Sequence, residues 1–426
     1  MPEALQSDGG LAYDRMYWRI EKRRRDEAAD LIIEQSTSAA ALGRPDEWAY
    51  WRRVLARQAM RDGDHQRAYA LASKHFITLG GGYASADLEW LSGYLALRFL
   101  DNPAAALAHF RRFTANVDTP ISLSRGHYWE GRALEAMGDA AGAQAAYRRG
   151  GTHQTAFYGL LAAEKAGMPM DPALTGTTEA PDWDGALFTE MSAFKAGVAL
   201  FNAGQRWEAI RFLSYLAETL PADQVVPLTD FILTLGDPFV AVRVAKDAAS
   251  RGIIAPRAYF PLAPLGVDLQ VEEALALSIA RRESEFNAGA ISPVGARGLM
   301  QLMPGTAQGM SRKLGLDYAA SKLTDDPVYN ATLGSAYLKE LIDEFGENYV
   351  LVSVGYNAGP SRARNWVELY GDPRFPGTDP VDWVEHIPFN ETQTYVMRVM
   401  ESLPIYRARL TGEVQPIRVY EEMKRR

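Results

Sequence analysis

One carboxylic acid on an otherwise apolar helical stripe is the residue of this sequence with the most chemical promise. From Val271 to Phe286 the chain reads VEEALALSIARRESEF, strong helix formers with neither Gly nor Pro, which predicts a helix. At about 100° per residue, Leu275, Ala276, Ile279, Glu283 and Phe286 share one arc. Glu272 shares it too, but in the first turn, where a carboxylate suits the helix dipole. Arg281, Ser278 and Glu285 fall on the opposite side, and Arg281 with Glu285 forms an i,i+4 pair suited to solvent. Glu283 is therefore the odd member of a greasy stripe near the C-terminal end of its helix. Lost solvation and the dipole both disfavour its charge and raise its pKa. A carboxyl kept protonated near neutral pH is what a general acid needs. Periodicity alone leaves a blander reading open, in which Glu283 pairs with a nearby arginine such as Arg282.

More polar groups follow in order. Ser292-Pro293-Val294-Gly295-Ala296-Arg297-Gly298-Leu299-Met300-Gln301 is a glycine-bearing loop, followed by Met303-Pro304-Gly305-Thr306-Ala307. Glycines let backbone approach a substrate, and Gln301 offers an amide donor and an acceptor. Gly355-Tyr356-Asn357-Ala358-Gly359 closes the apolar run Tyr349–Val354, which by propensity reads as a strand. The Gly359-Pro360 stop is equally a helix C-terminus. Glu385-His386-Ile387-Pro388-Phe389-Asn390 then leads into Glu391-Thr392-Gln393-Thr394-Tyr395-Val396, with Asn390 as an N-cap candidate.

Glu283-Ser284, Gly298-Leu299-Met300-Gln301, Tyr356-Asn357-Ala358-Gly359 and Ile387-Pro388…Glu391-Thr392…Tyr395 stand in the order and spacing of the soluble lytic transglycosylases of bacterial cell walls. Residues 268–410 resemble that family's catalytic domain. The preceding array resembles its helical superhelix less specifically, including Phe157-Tyr158-Gly159-Leu160-Leu161-Ala162. The resemblance implies a small all-α lysozyme-like domain, so Tyr349–Val354 is expected to be helical after all. It implies Glu283 as the single acid/base, with Ser292, Gln301 and Met303 lining the site near the cleaved sugars. Tyr356 and Asn357 are implied to hold the substrate and the surroundings of Glu283, with Tyr395 beside them. Glu391 is implied as a secondary polar group in the groove. Two positions depart from the pattern. Gly355 stands where Ala is usual, a change conservative in size. Gln393 stands where Arg is common, which puts in doubt an ion pair there.

The implied reaction cuts the β-1,4 bond between N-acetylmuramic acid and N-acetylglucosamine in peptidoglycan and leaves 1,6-anhydro ends without consuming water. Two rivals stay open: a hydrolase of the goose-type lysozyme kind, with Glu391 or Glu285 as the second carboxylate, and a non-catalytic wall-binding scaffold. Glu285 points the wrong way on its helix for that role. No cofactor is implied, and no metal, since no His/carboxylate set has ligand spacing and His386 reads as a loop residue. Peptidoglycan glycan strands are the expected partner, and the helical array offers a surface for cell-wall protein partners.

The rest of the chain must position this site. With 426 residues, 47% hydrophobic and 23% charged, two or three domains are expected. A net charge of -8 argues against a basic nucleic-acid binder. The absence of Cys excludes disulfides, thiol nucleophiles and thiolate metal sites. No apolar run is long enough to span a membrane. The start, MPEALQSDGGLAYDRMYWRIEKRRRDEAAD, lacks a signal-peptide pattern, so the protein is either cytoplasmic or separated from its export signal; the implied substrate favours the periplasm.

Before residue 250 the pattern is Ala-rich and helical. Trp51, Trp90 and Trp129 recur every 39 residues. Breaks follow at Gly63-Asp64, Asp101-Asn102-Pro103 and Gly138-Asp139, each succeeded by an Ala and an aromatic: Ala68 with Phe76, Ala106 with Phe110, Ala143 with Tyr147. Similar units lie around Gly204 (Ala209, Phe212) and Gly236-Asp237-Pro238. This predicts helical hairpins stacked as an irregular α-solenoid, the tryptophans acting as core anchors. The run Lys22-Arg23-Arg24-Arg25 reads as a solvated helix face, with contact to an anionic polymer as the alternative. Met168–Asp184 reads as a linker and Gly252–Asp268 as a second break. The expected organisation is a superhelical, TPR-like domain over 1–167, a linker with further hairpins over 168–267, the catalytic domain over 268–412 and a tail over 413–426.

Overall fold

The computed structural model describes residues 8–426 except 79, 81 and 179–181. The described residues are helical, with no strand beyond isolated bridges in one loop. None of their helices is long and apolar enough to cross a membrane. The chain divides into two compact units, the first running to His153 with Lys165–Gly167, the second comprising Gln154–Glu164 and Met168–Arg426.

In the first unit helices pair as α1 (Gly9–Glu21) with α2 (Arg25–Gln35), α3 (Pro45–Arg61) with α4 (His65–Ser73), α5 (Gly82–Arg98) with α6 (Pro103–Ala115), and α7 (Pro120–Ala136) with α8 (Ala140–Gly150). The expected breaks are the hairpin turns. Gly63, Asp101 and Gly138 take positive φ, and Asp64, Asn102 and Asp139 then cap α4, α6 and α8 through their side chains. Small residues admit aromatics across the hairpin: a Cβ on Gly93 would lie 2.6 Å from the Phe110 ring, and one on Gly131 would strike Tyr147. Trp90 and Trp129 are core anchors with ring centroids 6.0 Å apart.

Three details of the repeat differ from expectation. Trp51 is only half-buried, and Trp48, one turn earlier, fills the core instead. Phe76 lies beyond the end of α4 and Phe212 on an outer face, both exposed. Lys22, Arg23 and Arg24 form the turn between α1 and α2 and Arg25 starts α2, so the run is not one helix face; its side chains are exposed and Arg24 pairs with Glu27 at 2.5 Å.

The second unit opens with α9 (Phe157–Ala166), whose Phe157-to-Ala163 stretch is buried. The segment expected to be a linker is packed where it is described. Met170, Leu174 and Thr175 are buried, and Arg409 donates to the Thr175 carbonyl at 2.9 Å; residues 179–181 of that segment lie outside the described residues. Four helices follow, α10 (Ser192–Asn202), α11 (Arg206–Thr219), α12 (Ala222–Thr234) and α13 (Pro238–Ser250), around a core that includes Phe188, Leu213, Leu216, Val240 and Val244.

The longer helices that follow are α14 (Glu273–Ser284), α15 (Pro304–Leu314), α16 (Pro327–Phe345), α17 (Tyr349–Ala358), α18 (Pro360–Tyr370), α19 (Pro380–His386) and α20 (Asn390–Thr411). Tyr349–Val354 is helical and not a strand. Its apolar run reflects burial on all sides, which sequence periodicity cannot distinguish from a core strand. α20 begins at Asn390, so the capping position falls to Phe389, which makes no side-chain cap, and not to Asn390 as expected. Residues after 412 fold back: Met423 is buried, and Asn348 at the start of α17 donates to the Met423 and Arg425 carbonyls.

α14 also corrects a two-faced expectation. Every residue from Ala274 to Arg281 is buried, Ser278 and Arg281 included. Arg281 does not pair with Glu285. Its Nε donates to the Tyr259 carbonyl (2.9 Å), and its guanidinium lies 4.5 Å and 4.4 Å from the Tyr259 and Phe260 ring centroids. The Pro-rich break before residue 268 thus covers the face that periodicity assigned to solvent. At the other end of the helix, Glu272 takes the Arg407 guanidinium at 2.6 Å.

Candidate active site

Glu283 occupies the last turn of α14, half-buried, and among the described residues no cation forms an ion pair with it. The bland alternative of an Arg282 partner is not what the fold provides. Arg282 lies with its guanidinium 5.6 Å from the Tyr395 ring centroid and only weakly favours the charge on Glu283. Burial pushes the Glu283 carboxyl up to about 7. The Tyr395 hydroxyl and Arg282 pull it down, while the negative charge of Glu391 pushes it up. Loss of water outweighs these neighbours, since an ionised carboxylate in a poorly solvated recess lacks the hydration it had in solution.

Two phenols face this carboxyl. Tyr395, from the second turn of α20, is 1% exposed and its hydroxyl makes no hydrogen bond of ordinary geometry. Tyr356, from the end of α17, donates to the Met300 carbonyl at 2.8 Å. Burial and the Glu283 charge hold both phenols well above their ordinary pKa. Both therefore remain donors across any pH at which Glu283 titrates.

The loop between α14 and α15 carries Ser292, Gln301 and Met303. It is tied to the acid's helix by Ser284, whose hydroxyl donates to the Leu299 carbonyl at 2.6 Å. Gln301 has φ 49°, and its amide donates to the Ala290 and Gly298 carbonyls at 3.0 and 2.8 Å. Its donor capacity thus shapes the loop. Ser292 Oγ accepts from the Ala296 N–H at 2.9 Å and closes a turn. Met303 is 45% exposed at the start of α15. Gly298 has no substitute here: at φ 79° a Cβ would collide with the Leu323 carbonyl and the Asn330 amide.

Asn357, at the end of α17, meets α20 at Thr392, the residue after Glu391. Thr392 Oγ1 donates to Asn357 Oδ1 at 2.7 Å, while Glu391 is exposed and near enough to act on Glu283. At Gly355 a Cβ would lie 2.9 Å from Leu341 and 3.2 Å from Phe345, so the change from the usual alanine reflects close packing. Gln393 makes hydrogen bonds where an ion pair was in doubt. Its amide donates to Glu385 Oε2 at 2.8 Å, and the other Glu385 oxygen accepts from the Tyr158 hydroxyl. Tyr158 belongs to the Phe157–Ala162 segment, whose first N–H is capped by Glu401 at 2.9 Å. His386 ends α19, its Nδ1 bonded to the Asp382 carbonyl. Among the described residues no cluster of His, Asp and Glu could hold a metal ion.

The fold brings Glu283, Tyr356, Tyr395 and Glu391 within electrostatic reach of one another and joins Asn357 to them through Thr392. Ser292, Gln301 and Met303 share the neighbouring loop without bonding to Glu283. Two contributors were not read from the sequence. Thr392 stands in the fourth motif, but a hydroxyl in a helix carries no signal that assigns it a partner. Asn330 is fully buried on α16, accepts from the Met300 N–H at 2.8 Å and donates to the Arg297 and Leu323 carbonyls. A polar residue at a core register of α16 was the available clue.

Comparison with known proteins follows the same lines. Residues 266–375 match the family model described as the transglycosylase SLT domain. The soluble lytic murein transglycosylase of Salmonella typhimurium is 37% identical over 157 residues, 37% of this chain and 24% of the relative. That of Escherichia coli K12 is 39% identical over 139 residues, 32% of this chain and 21% of the relative. The match thus spans about a quarter or less of these curated relatives. In three dimensions the likeness is longer. A solved lytic transglycosylase from Pseudomonas aeruginosa, crystallised as an inactive Glu-to-Gln mutant, aligns with 97% of this chain and 69% of its own, at TM-score 0.64 and 25% identity. The 70 kDa soluble lytic transglycosylase of Escherichia coli shares the fold over 99% of this chain and 75% of its own, at TM-score 0.57 and 20% identity. The family resemblance holds, with the first three motifs inside the matched residues, and the all-α architecture is that of these solved structures.

Proposed function

We propose that this protein is a peptidoglycan lytic transglycosylase with Glu283 as its only acid and base. The observation that carries this reading is a single cation-free carboxyl whose pKa of about 7 lets it both give and take a proton near neutrality. Glu283, protonated, donates to the glycosidic oxygen as the bond from muramoyl C1 breaks. The substrate's own N-acetyl oxygen bonds to C1 and takes up the positive charge, where an ordinary retaining glycosidase would supply a carboxylate. Glu283, now ionised, takes the proton of the muramoyl C6 hydroxyl while O6 attacks C1 and displaces the acetamido oxygen. The carboxyl is regenerated, and the sugar leaves as a 1,6-anhydro ring. In this scheme the neutral phenols Tyr356 and Tyr395 frame the acid, and Ser292, Gln301, Met303, Asn357 and Glu391 line the groove. The catalytic module corresponds to residues 268–412 and works on glycan strands of the periplasmic wall. The hairpin array presents surface to those strands and to wall-associated proteins.

The test is a digest of purified peptidoglycan read by mass spectrometry. Muropeptides lighter by one water than muramidase products are expected. Products of full hydrolytic mass would transfer the assignment to a lysozyme-like hydrolase using Glu391 to activate water. No cleavage at all would leave a wall-binding scaffold.

A further inference from the structure

The segment that follows Glu283 adopts a backbone its residues do not favour. Glu285 and Phe286 both lie in the left-handed region, at φ 53° and 68°, a conformation that glycine takes freely and residues with a Cβ resist. Something must hold them there, and α11 and α13 supply it. Lys246 and Arg243 on α13 share the Glu285 carboxylate, one on each oxygen, with Arg243 at 3.4 Å. Arg206 on α11 donates to Asn287 Oδ1 at 3.1 Å. Arg206 is itself fixed by Asp237 at 2.6 Å and by the Phe239 ring, 4.4 Å from its guanidinium carbon. Phe286 is buried. Three cations of one helical layer thus grip the two residues that flank Phe286, beginning two positions after the acid.

We infer that α11 and α13 form a positioning clamp for Glu283, acting through Glu285 and Asn287. The inference rests on the enzymatic reading above and deepens it. Lys246 and Arg243 are half-exposed, and such ion pairs contribute little to stability. Their place on a strained turn beside a reacting group gives them a different effect. A displacement of about 1 Å at a reacting group can cost about a hundredfold in rate. Glu285, with both oxygens engaged, is a positioning residue and is withdrawn from service as a second catalytic carboxylate. Besides burial, the groups that set the acidity of Glu283 are Tyr395 and Glu391 on α20 and Arg282 on its own helix; Tyr356 on α17 faces it and is raised by its charge. The clamp decides where the carboxyl lies among them.

Two variants of the full chain test this, Glu285→Gly and the double change Arg243→Ala with Lys246→Ala. Glycine relieves the backbone cost while cutting the tie, so thermal unfolding should occur no lower than in the parent. Turnover on peptidoglycan should nevertheless fall about tenfold with KM within about twofold, equivalent to roughly 1.4 kcal/mol at the transition state. The alkaline limb of the kcat profile should move to lower pH as the carboxyl gains water. The double variant should reproduce both effects. Unchanged kcat and an unmoved limb in both variants would overturn the clamp. If the parent protein cleaves no glycan, the enzymatic reading fails by itself. The clamp is then read by NMR titration of Glu283, whose midpoint should drop in both variants and whose constancy would refute it.

Discussion

In the first unit Asp87 and Glu89 lie near the start of α5, both buried and both surrounded by basic partners. Asp87 takes both nitrogens of the Arg57 fork and the Arg53 side chain. Glu89 takes His109 at 2.6 Å, Arg112 at 2.9 Å and His75 at 3.2 Å. These neighbours outweigh burial and hold both carboxyls well below the usual range. In the second unit Glu283 suffers the same loss of water with no ion pair to offset it, and its pKa moves the other way. The difference separates two uses of one functional group. A desolvated carboxylate matched with cations fixes helices, whereas one left unmatched keeps its proton and can pass it on.

The largest effect expected to sharpen this contrast is on turnover. Glu283→Gln should lower kcat by about 10³- to 10⁴-fold, roughly 4–5 kcal/mol, while retaining glycan affinity in a pull-down with insoluble peptidoglycan. Retention of a tenth of the activity would break it. Glu89→Ala, by contrast, strands His109 and Arg112 and should destabilise the first unit by about 3–4 kcal/mol, measured by urea unfolding, with little change in the chemistry of surviving folded enzyme.

The third expectation concerns stability against pH. Because the folded pKa of Glu283 is raised from 4.5 to about 7, ionisation costs folding free energy as pH climbs through that interval. Glu283→Gln should match the parent in stability below pH about 4.5, gain on it towards pH 7 and level off above, at no more than about 3 kcal/mol. Asp87 and Glu89 act oppositely: their stabilisation is present above the carboxylate range and lost as acid protonates them. A flat difference between the two proteins from pH 5 to 8 would show that Glu283 is not desolvated. The smallest effect belongs to packing. Gly355→Ala should cost about 1–2 kcal/mol in thermal unfolding, because Leu341 and Phe345 must move.

Much of the candidate site was legible because its motifs are local in sequence. Glu283 stood out on its stripe, and the Gly298–Gln301 and Tyr356–Gly359 runs marked the loop and helix end that adjoin it. What was not legible arises from contacts between distant segments. Arg281 and Ser278 looked solvent-facing because periodicity assumes one covered side, whereas Tyr259 and Phe260 close the other. The Glu285 partners lie about forty residues earlier on another helix, and no pattern along α14 announces them. Trp48 and Trp51 sit on the same helix with similar credentials, and only the packing of α3 chooses between them.

The Glu401 side chain that caps the start of α9 is 244 residues away from it along the chain. The buried turn at Thr175 likewise depends on Arg409, 234 residues later. During synthesis the ribosome releases these early segments long before their partners exist. The first unit, whose hairpins close on themselves, can consolidate as it emerges, but the second must stay open until α20 is out of the exit tunnel. A stop codon or proteolytic cut before residue 401 therefore leaves the beginning of the second unit unfinished as well as its end.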